Sequence, residues 1–387
     1  MKACRSCGAA LKTLLDLGPQ PVCNRFLKSP QEKEFRAPLT LTQCPSCALV
    51  QLETPMPVAE VLARYDWISY REPEGHLDAL AETIARLPGL TKGSTIGAVT
   101  YKDDTLVDRL DRLGFKNHWR LEPGEDLGVA DPRAGLETMQ ERLSSNAARG
   151  KRGGADLLIV RHLLEHAYDT RAFAGALKEL VKPGGSILFE IPDNARCFDT
   201  FDYGAIWEEH VLYFTENTFK DFLSRAGFEL AAFHVYPYPM ENSLVAIVKL
   251  AAAAEPAAPP AGEARRAEAY ARGLPEAGAK FRALLARHPR ERTALFGAGH
   301  RSAAFVNLLG LQDAIGMVID DDANKKGLFM PGSRLPIAGS SALLEKGVEF
   351  CLLNMSPESE AKVVAKNKAF VESGGRFASI FPESVDA

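Results

Sequence analysis

The sequence lacks the features that would place the protein at a membrane or on nucleic acid. No run approaches the ~18 consecutive apolar residues of a bilayer span, and the first residues, MKACRSCG, contain no apolar signal core. Charge of one sign is not in excess either, because 46 basic and 50 acidic residues give a net charge of -4. No sustained basic stripe is available for a phosphate backbone. We therefore expect a cytoplasmic protein with no membrane or nucleic-acid partner, and composition leaves the oligomeric state open.

Cysteine is also scarce, and four of the seven cysteines form two C-x-x-C pairs, Cys4 with Cys7 and Cys44 with Cys47. Each pair forms a tight turn that can direct two thiolates at one ion, and two such turns complete a tetrahedron. Without an export signal, this pattern favours a metal over disulfides. We predict a closed structural zinc site; the alternatives are iron in the same cage and a redox-active dithiol.

The length favours two or three domains, and the composition along the chain suggests where they divide. We expect a zinc-binding module over residues 1–57, an α/β domain over 58–250, a linker and helix over 251–290, and a second, Rossmann-like α/β domain over 291–387. The linker is marked by the alanine- and proline-rich run AAAAEPAAPPAG.

Strand and helix patterns alternate through the middle of the chain, which predicts a doubly wound, parallel sheet. Short apolar strands are expected at residues 94–100, 118–121, 157–160 and 186–191, with amphipathic helices between them. Ligands of such sheets bind at the carboxyl ends of the strands. The predicted site is therefore bracketed by residues 101–104, 122, 162–166 and 192–194.

Two patterns at this predicted site carry chemistry. Glu122 follows the second strand, where a carboxylate can accept both hydroxyls of a ribose; the alternative is a solvated loop acid. His210 lies in WEEHVLYF, residues 207–214, where a histidine can remove a proton beside a ketone; the alternative is a satisfied, half-buried histidine. His162 and His166 share a face if that segment is helical, but their spacing alone does not favour a metal site.

The last third begins a new unit with TALFGAGHRSAAFVNLLG, a strand, a glycine turn and a helix. The pattern is similar to a dinucleotide fingerprint with Ser302 in place of its third glycine, and Asp320 ends the next strand as a ribose-binding acid would. An independent nicotinamide site is one alternative for this unit.

The order of motifs resembles the sugar C-methyltransferases of deoxysugar pathways, and the likeness spans nearly the whole chain. The motifs are the two C-x-x-C pairs around P-x-x-N-x-F (residues 21–26), YDWISY (65–70), H-x-x-E-H-x-x-D (162–169), PGG (183–185), EIP (190–192), EHVLYF (209–214) and DDDANKKGLFMPGSRLPI (320–337). The resemblance implies a zinc-binding N-terminal domain, a class I S-adenosylmethionine domain and a C-terminal Rossmann-like domain that helps to bind a nucleotide sugar.

The resemblance assigns the catalytic base to His210, which removes a proton from the carbon beside a 4-keto group. Glu209 matches the family's acid, whereas Trp207 replaces a tyrosine and Glu208 replaces a histidine. Loss of the phenol removes a donor that could stabilise an enolate oxygen, because the indole N–H is placed differently.

The resemblance also assigns the cofactor loop to AVTYKDD, residues 98–104. Thr100 and Asp104 replace glycines of the family motif, Ala98 replaces its acid, and Asp103 matches. The added β-carbons and the second carboxylate should weaken S-adenosylmethionine binding. Glu122 still matches the ribose-binding acid.

The resemblance gives a full set of expected site residues. The expected cofactor-binding residues are Thr100, Asp103, Asp104, Glu122 and His162. The expected substrate-binding residues are Tyr65, Trp67, Tyr70, Asn194, Tyr213, Asn242, Ser243 and Asn324. The expected function is S-adenosylmethionine-dependent C-methylation of a nucleotide-linked keto-deoxysugar. The alternatives are an enolising epimerase, isomerase or dehydratase that has lost methyl transfer, and a non-catalytic sugar-nucleotide-binding protein.

Overall fold

A computed structural model describes residues 2–68, 72–145, 152–252 and 258–381. The N-terminal part forms the strands β1 (Lys12–Pro21), β2 (Arg36–Gln43) and β3 (Val50–Leu52). The middle of the chain forms α1 (Val58–Val61), α2 (Leu77–Ala85), β4 (Ile96–Ala98), α3 (Asp104–Arg112), β5 (His118–Arg120), α4 (Pro123–Leu127), α5 (Leu136–Ser144), β6 (Ala155–Arg161), α6 (Thr170–Glu179), β7 (Val181–Asp193), α7 (Ala195–Asp199), β8 (Leu212–Tyr213), α8 (Glu216–Arg225), β9 (Phe228–Tyr236) and β10 (Asn242–Leu250).

The C-terminal part begins with the long helix α9 (Glu263–Leu285). It continues with β11 (Thr293–Phe296), α10 (His300–Leu309), β12 (Met317–Ile319), β13 (Ile337–Ala338), α11 (Ala342–Glu345), β14 (Phe350–Leu353), α12 (Pro357–Lys366), α13 (Lys368–Glu372) and β15 (Arg376–Ser379). No helix in the described ranges has the length and apolar composition needed to cross a bilayer.

The N-terminal sheet has the antiparallel order β1-β2-β3-β8, so its last strand comes from far along the chain. Val50 lies opposite Tyr213, and Gln51 lies opposite Leu212. A two-residue strand has little stability of its own, and pairing with β3 satisfies its backbone groups. The segment directly after His210 is thus built into the sheet of the zinc-binding module.

The central sheet has the order β5-β4-β6-β7-β10-β9. Strands β5, β4, β6 and β7 are parallel, whereas β10 is antiparallel to both of its neighbours, β7 and β9. Strands β4 and β6 are almost continuously buried because helices cover both faces of the sheet. This confirms the predicted doubly wound α/β domain and adds an antiparallel hairpin at one edge.

The segment after β6 differs from the prediction of a helical face shared by His162 and His166. Strand β6 ends at Arg161, His162 has a left-handed backbone with φ of 49°, and a single 3-10 turn covers Leu164–His166. Leu163 and Leu164, which follow His162, are buried in the hydrophobic core.

The C-terminal sheet is wholly parallel, with the order β13-β12-β11-β14-β15, and confirms the Rossmann-like prediction. The turn between β11 and α10 contains Gly297 with φ of 101°. A β-carbon at Gly297 would lie 3.3 Å from the carbonyl oxygen of Asn354, so glycine permits both the conformation and the close approach.

The three sheets share packing surfaces. One hydrophobic cluster contains residues of the N-terminal sheet, of the segment 197–213 and of the C-terminal domain. Leu27 of the N-terminal region and Phe329 of the C-terminal domain exchange two backbone hydrogen bonds of 2.9 and 2.8 Å. The carboxyl edges of the two parallel sheets are thereby turned toward one cavity.

Candidate active site

A cavity of about 1000 Å³ lies where these edges meet. The central sheet contributes residues that follow β4, β6 and β7, and the C-terminal domain contributes the start of α10 and the loop after β14. Aromatic and charged side chains of the cavity lining include Tyr65, Glu72, Tyr101, Lys102, Glu137, His162, Glu165, His166, Trp207, Glu209, His210, His300 and Arg301. The volume is sufficient for a ligand larger than a single sugar.

The four cysteines of the N-terminal module lie together away from this cavity. The Sγ atoms of Cys4 and Cys47 are 3.6 Å apart, and those of Cys7 and Cys44 are 3.4 Å apart. A tetrahedron with sulfur–zinc bonds of about 2.3 Å separates its sulfurs by about 3.8 Å. The cage therefore has the dimensions of a four-thiolate zinc site.

Local backbone geometry shapes each half of this cage. The residue after each C-x-x-C pair, Gly8 or Ala48, has a left-handed backbone, with φ of 77° and 61° respectively. The N–H of that residue donates a 2.8 Å hydrogen bond to the carbonyl oxygen of the pair's first cysteine. The side-chain N–H of Gln51 donates to the sulfur of Cys4 at 3.1 Å, which stabilises a thiolate there.

The segment that carries His210 is held from both sides. Val211 N–H donates to the carbonyl oxygen of Glu165 at 2.8 Å, and Leu52 N–H donates to that of Val211 at 2.9 Å. Together with the β3–β8 pairing, these bonds tie the segment to the zinc-binding module and to the turn after β6. His210 is therefore positioned by tertiary contacts rather than by a helix of its own.

The side chain of His210 lies between two other rings in the cavity wall. The centroids of the His166 and Trp207 rings are each 4.9 Å from that of His210. Burial disfavours the imidazolium, and the positive charge of His166 adds to this, so the pKa of His210 is well below its usual value. His210 is therefore neutral at physiological pH.

Two buried carboxyl groups precede His210 in the chain. The backbone N–H of Cys23 donates to Glu208 Oε1 at 2.6 Å, and the side-chain amide of Asn24 donates to Glu209 Oε1 at 2.7 Å. Burial raises the pKa of Glu208 to about 7 and that of Glu209 well above its usual value. The zinc-binding module thus contacts both acids, and Glu209 faces the cavity.

His162 and His166 are buried cations among carboxylates. Burial opposes their charge, but the negative charge of Glu72 and hydrogen bonding to Glu165 raise the pKa of His162 to about 10. His166 Nδ1 is 2.7 Å from Glu137 Oε1, and this contact raises the pKa of His166 despite burial. Of the expected cofactor-binding residues, His162 lines the cavity.

Trp207 joins the central domain to the C-terminal domain. Its ring stacks on His300, the first residue of α10, with centroids 3.9 Å apart and planes 24° apart. The neighbouring Arg301 forms an ion pair with Asp202. Trp207 therefore lies in the cavity wall between the two domains.

The loop after β4 is closed by its own side chains. Asp103 is fully buried, and its carboxylate accepts 2.8 Å hydrogen bonds from the backbone N–H groups of Val99, Thr100 and Arg161. The hydroxyl of Thr100 accepts from Lys102 N–H. Both side chains hold the loop and neither lines the cavity, and their expected contact with the cofactor stays a prediction.

Two acids lie on the same sheet edge beside Arg120. Asp104 forms an ion pair with Arg120, whose guanidinium is also 3.5 Å from Glu122. The positive charge of Arg120 offsets the second carboxylate, which the sequence analysis expected to repel the cofactor. Glu122 is exposed at the end of β5, in the position expected for a ribose acceptor.

The aromatic segment expected to bind substrate is partly described. Tyr65 lines the cavity and donates to the carbonyl oxygen of Phe26 at 3.2 Å. Trp67 stacks on Tyr65 and on Phe26, with centroids 5.0 and 5.9 Å apart. Trp67 supports the wall from behind, and Tyr70 lies outside the described residues.

The remaining expected substrate residues are engaged elsewhere in the structure. Asn194 donates to the carbonyl oxygen of Phe214 (3.2 Å), Tyr213 to that of Trp207 (2.9 Å), Asn242 to Asp193 (3.1 Å) and Ser243 to Glu190 (2.7 Å). Asn324 is exposed in a turn of the C-terminal domain, outside the cavity lining. The polar groups of these five residues are satisfied locally or lie outside the cavity, and their contact with substrate stays a prediction.

Sequence reasoning missed several charged residues of the lining. Glu72 accepts from Lys102 at 2.7 Å, and Glu137 accepts from His166 across the cavity wall. Both acids lie before or within helices that carry no motif, so only the folded chain brings them to the histidines. Arg301 follows the glycine turn and could have been noted from the fingerprint pattern.

Comparison with known protein families accounts for most of the chain. Residues 4–61 match a model described as "Putative zinc binding domain", residues 124–232 match "Methyltransferase domain", and residues 250–382 match "C-methyltransferase C-terminal domain". The three models occur in the order of the cysteine cage, the central sheet and the C-terminal sheet. The protein is a methyltransferase with the C-methyltransferase architecture.

The methyltransferase also matches solved structures over less than half of its length. One is the 1,6-didemethyltoxoflavin N1-methyltransferase of Burkholderia thailandensis with S-adenosylhomocysteine bound: 13% identity, 46% of this chain, 77% of that chain, TM-score 0.32. Another is the N-methyltransferase NodS of Bradyrhizobium japonicum: 14% identity, 46% of this chain, 96% of that chain, TM-score 0.31. The comparison with curated proteins finds no match.

The residues of the methyltransferase fit both cofactors that this architecture implies. The four sulfurs, all within 4.8 Å of one another, fit zinc without an open position. Glu122 is exposed, so its carboxylate could accept the hydroxyls of the S-adenosylmethionine ribose, and the neighbouring Arg120 offsets the charge of Asp104. Zinc and S-adenosylmethionine are thus the cofactors of the zinc-binding and methyltransferase domains.

Proposed function

We propose that the protein transfers a methyl group from S-adenosylmethionine to a carbon atom of a nucleotide-linked keto-deoxysugar, with His210 as the base. The observation that carries this proposal is the neutral imidazole of His210 in the wall of a cavity that both α/β domains line. A cytoplasmic location is part of the proposal, because a four-thiolate cage requires reduced cysteines.

His210 is suited to accept a proton from a carbon beside a ketone. Its lone pair is available because the imidazole is uncharged, and the buried rings of Trp207 and His166 flank it. When the proton moves to His210, the C–H electron pair becomes part of an enolate, and the carbon becomes nucleophilic. S-adenosylmethionine, when bound, supplies the methyl group that this carbon takes up.

Glu209 is placed to assist the same step. Its raised pKa keeps the carboxyl protonated, so it can donate a hydrogen bond to the developing enolate oxygen. This is a role that the phenol replaced by Trp207 would otherwise fill. Asn24 fixes the other carboxyl oxygen at 2.7 Å and so orients the donor.

Contacts of the C-terminal domain support a shared sugar-nucleotide site. His300 and Arg301, at the start of α10, line the same cavity as His210. Asp320, the acid that an independent nicotinamide site would need, accepts instead from Ala298 N–H at 2.8 Å and from Lys325 Nζ at 2.9 Å. These bonds favour a domain that completes the substrate cavity over one with a separate dinucleotide.

A second candidate is an enolising epimerase, isomerase or dehydratase on a related sugar. The observation that favours it is the loop after β4, where Thr100 and Asp104 occupy positions that are glycines in the family motif. Enolisation by His210 is common to both candidates, and only methyl transfer separates them.

The test is incubation of the zinc-loaded protein with S-adenosylmethionine carrying a ¹³C methyl group and a panel of nucleoside diphosphate keto-deoxysugars. The proposal predicts a new carbon-bound ¹³C methyl signal in the sugar and one S-adenosylhomocysteine per methyl transferred. Solvent exchange or isomerisation of the sugar without a methyl signal would instead support the second candidate.

A further inference from the structure

A second group of metal-ligating side chains lies in the cavity, separate from the cysteine cage. Ligand atoms of Glu165, His166 and His210 lie within 4.8 Å of one another, and all three residues line the cavity. They reach it from the turn after β6 and from the segment before β8, which the Val211–Glu165 backbone bond holds together. Two imidazoles and one carboxylate form a common donor set for divalent transition metals.

The hydrogen bonds of His166 prepare one nitrogen for a metal. Glu137 takes up Nδ1 at 2.7 Å, which fixes the ring, so Nε2 is the atom that coordinates the metal once the metal displaces its proton. A carboxylate behind a ligating histidine sets its tautomer and orientation in metal sites. The T-shaped contact of 4.9 Å between the His166 and His210 rings brings the second imidazole beside the first.

An unpartnered oxygen of Glu165 independently indicates that Glu165, His166 and His210 bind a ligand. The residue is only 1% exposed, and its Oε2 atom is buried with no hydrogen-bond partner among the described residues. Its other oxygen, Oε1, is 3.6 Å from His162 Nδ1. A buried carboxylate oxygen without a partner costs free energy, and a cation in the cavity would satisfy it.

We propose that Glu165, His166 and His210 bind one divalent transition metal ion, and that this ion competes with the proton-accepting role of His210. Coordination uses the lone pair that the base needs, so the metal-bound state and the base-competent state exclude each other. Metal binding at this site should therefore inhibit the methyl transfer proposed above. This competition rests on the proposed function of His210 as the base. The three protein ligands leave coordination positions for water or for a substrate oxygen.

The direct test is titration of full-length protein, with zinc in the cysteine cage and no other metal, with Co²⁺ alone. We expect one Co²⁺ per chain by equilibrium dialysis and elemental analysis. Its absorption should lack the intense sulfur-to-metal bands that Co²⁺ in a thiolate cage would give. Failure of the wild-type protein to take up Co²⁺ beyond the cage overturns the proposal.

Variants separate the site from chance binding. Glu165→Gln and His210→Gln should each lose the bound Co²⁺, whereas the zinc content of the cage should stay at one per chain. Glu137→Gln should weaken Co²⁺ binding by about 10- to 100-fold, because it removes the group that orients His166. Glu141→Gln, an exposed acid one turn along the same helix, is the matched control and should bind as the wild type does. Unchanged Co²⁺ affinity in Glu165→Gln would refute the assignment.

Activity gives a separate readout. With the second site empty, solvent deuterium exchange into a keto sugar reports the proposed function, and added Co²⁺ should suppress the exchange in proportion to its occupancy. Exchange that continues unchanged at full Co²⁺ occupancy would contradict the competition. If Co²⁺ binds but no exchange occurs in its absence, the proposed function fails and the metal site stands.

Discussion

At the scale of single residues, the account depends on a histidine that its surroundings keep neutral. The pKa of His210 is lowered by burial and by the neighbouring His166 charge. A base with a lowered pKa stays unprotonated as the pH falls through the usual histidine pKa. It loses its activity as a base only at lower pH. The exchange rate should therefore not yet decline at about pH 6.5 and should fall only at lower pH. A half-maximal rate at or above that pH in a pH–rate profile would show that His210 is not the titrating base.

Asn24 offers a second test at the residue scale, because it connects the zinc-binding module to Glu209. Asn24→Ala leaves a buried carboxyl oxygen without its donor, which should lower the free energy of unfolding by about 1–3 kcal/mol. Asn117→Ala, at an exposed asparagine before β5 whose amide donates to Thr95, should change the free energy of unfolding by less than about 0.5 kcal/mol. Equal denaturant midpoints for the two variants would argue against the contact.

At the scale of elements, a substitution in the loop after β4 can distinguish a structural role of Asp103 from a role in cofactor binding. Asp103→Ala removes the acceptor of three backbone N–H groups, so we expect a loss of more than about 2 kcal/mol in unfolding free energy. Asp108→Ala, on the exposed face of α3, should change stability by less than about 0.5 kcal/mol. A fully stable Asp103→Ala protein with weakened S-adenosylmethionine binding would instead support the ligand role.

The elements that the sequence predicted well are those set by local pattern. Strands β4, β6 and β11 follow from apolar runs, and the helix Leu136–Ser144 follows from its amphipathic period. The turn at His162 could not be predicted, because its left-handed backbone is imposed by packing around it. The pairing of β8 with β3 joins residues more than 150 positions apart, which no local pattern encodes.

The same limit applies to the predicted site. The zinc site could be predicted from the two C-x-x-C pairs, because each pair places two thiolates on a single tight turn. The side chains of Asn242 and Ser243, substrate residues expected by resemblance, bond the carboxylates of Asp193 and Glu190, and these partners could not be predicted from the local sequence. Glu137 was not predicted as a site residue because its partner, His166, lies on another element.

At the scale of the whole molecule, the zinc site should control a cavity that it does not touch. Release of zinc removes the restraint on β1 to β3, and β8 loses β3, its one partner strand among the described residues. We expect chelation to abolish hydrogen-exchange protection of the Leu212 and Tyr213 amides and to stop catalysis. Amides of the C-terminal strand β14 serve as the internal control, because their partners β11 and β15 remain. Unchanged protection at β8 after loss of zinc would disprove this coupling.

The central claim is that His210 removes a proton from a carbon beside a ketone, and deuterium exchange tests it most directly. In D₂O without a methyl donor, the wild-type protein should exchange the hydrogen at that carbon of a nucleoside diphosphate keto-deoxysugar, measured by proton NMR. His210→Ala should slow the exchange by about 10²- to 10⁴-fold, whereas His118→Ala, at an exposed site on β5, should not. Equal exchange rates for wild type and His210→Ala would contradict the account.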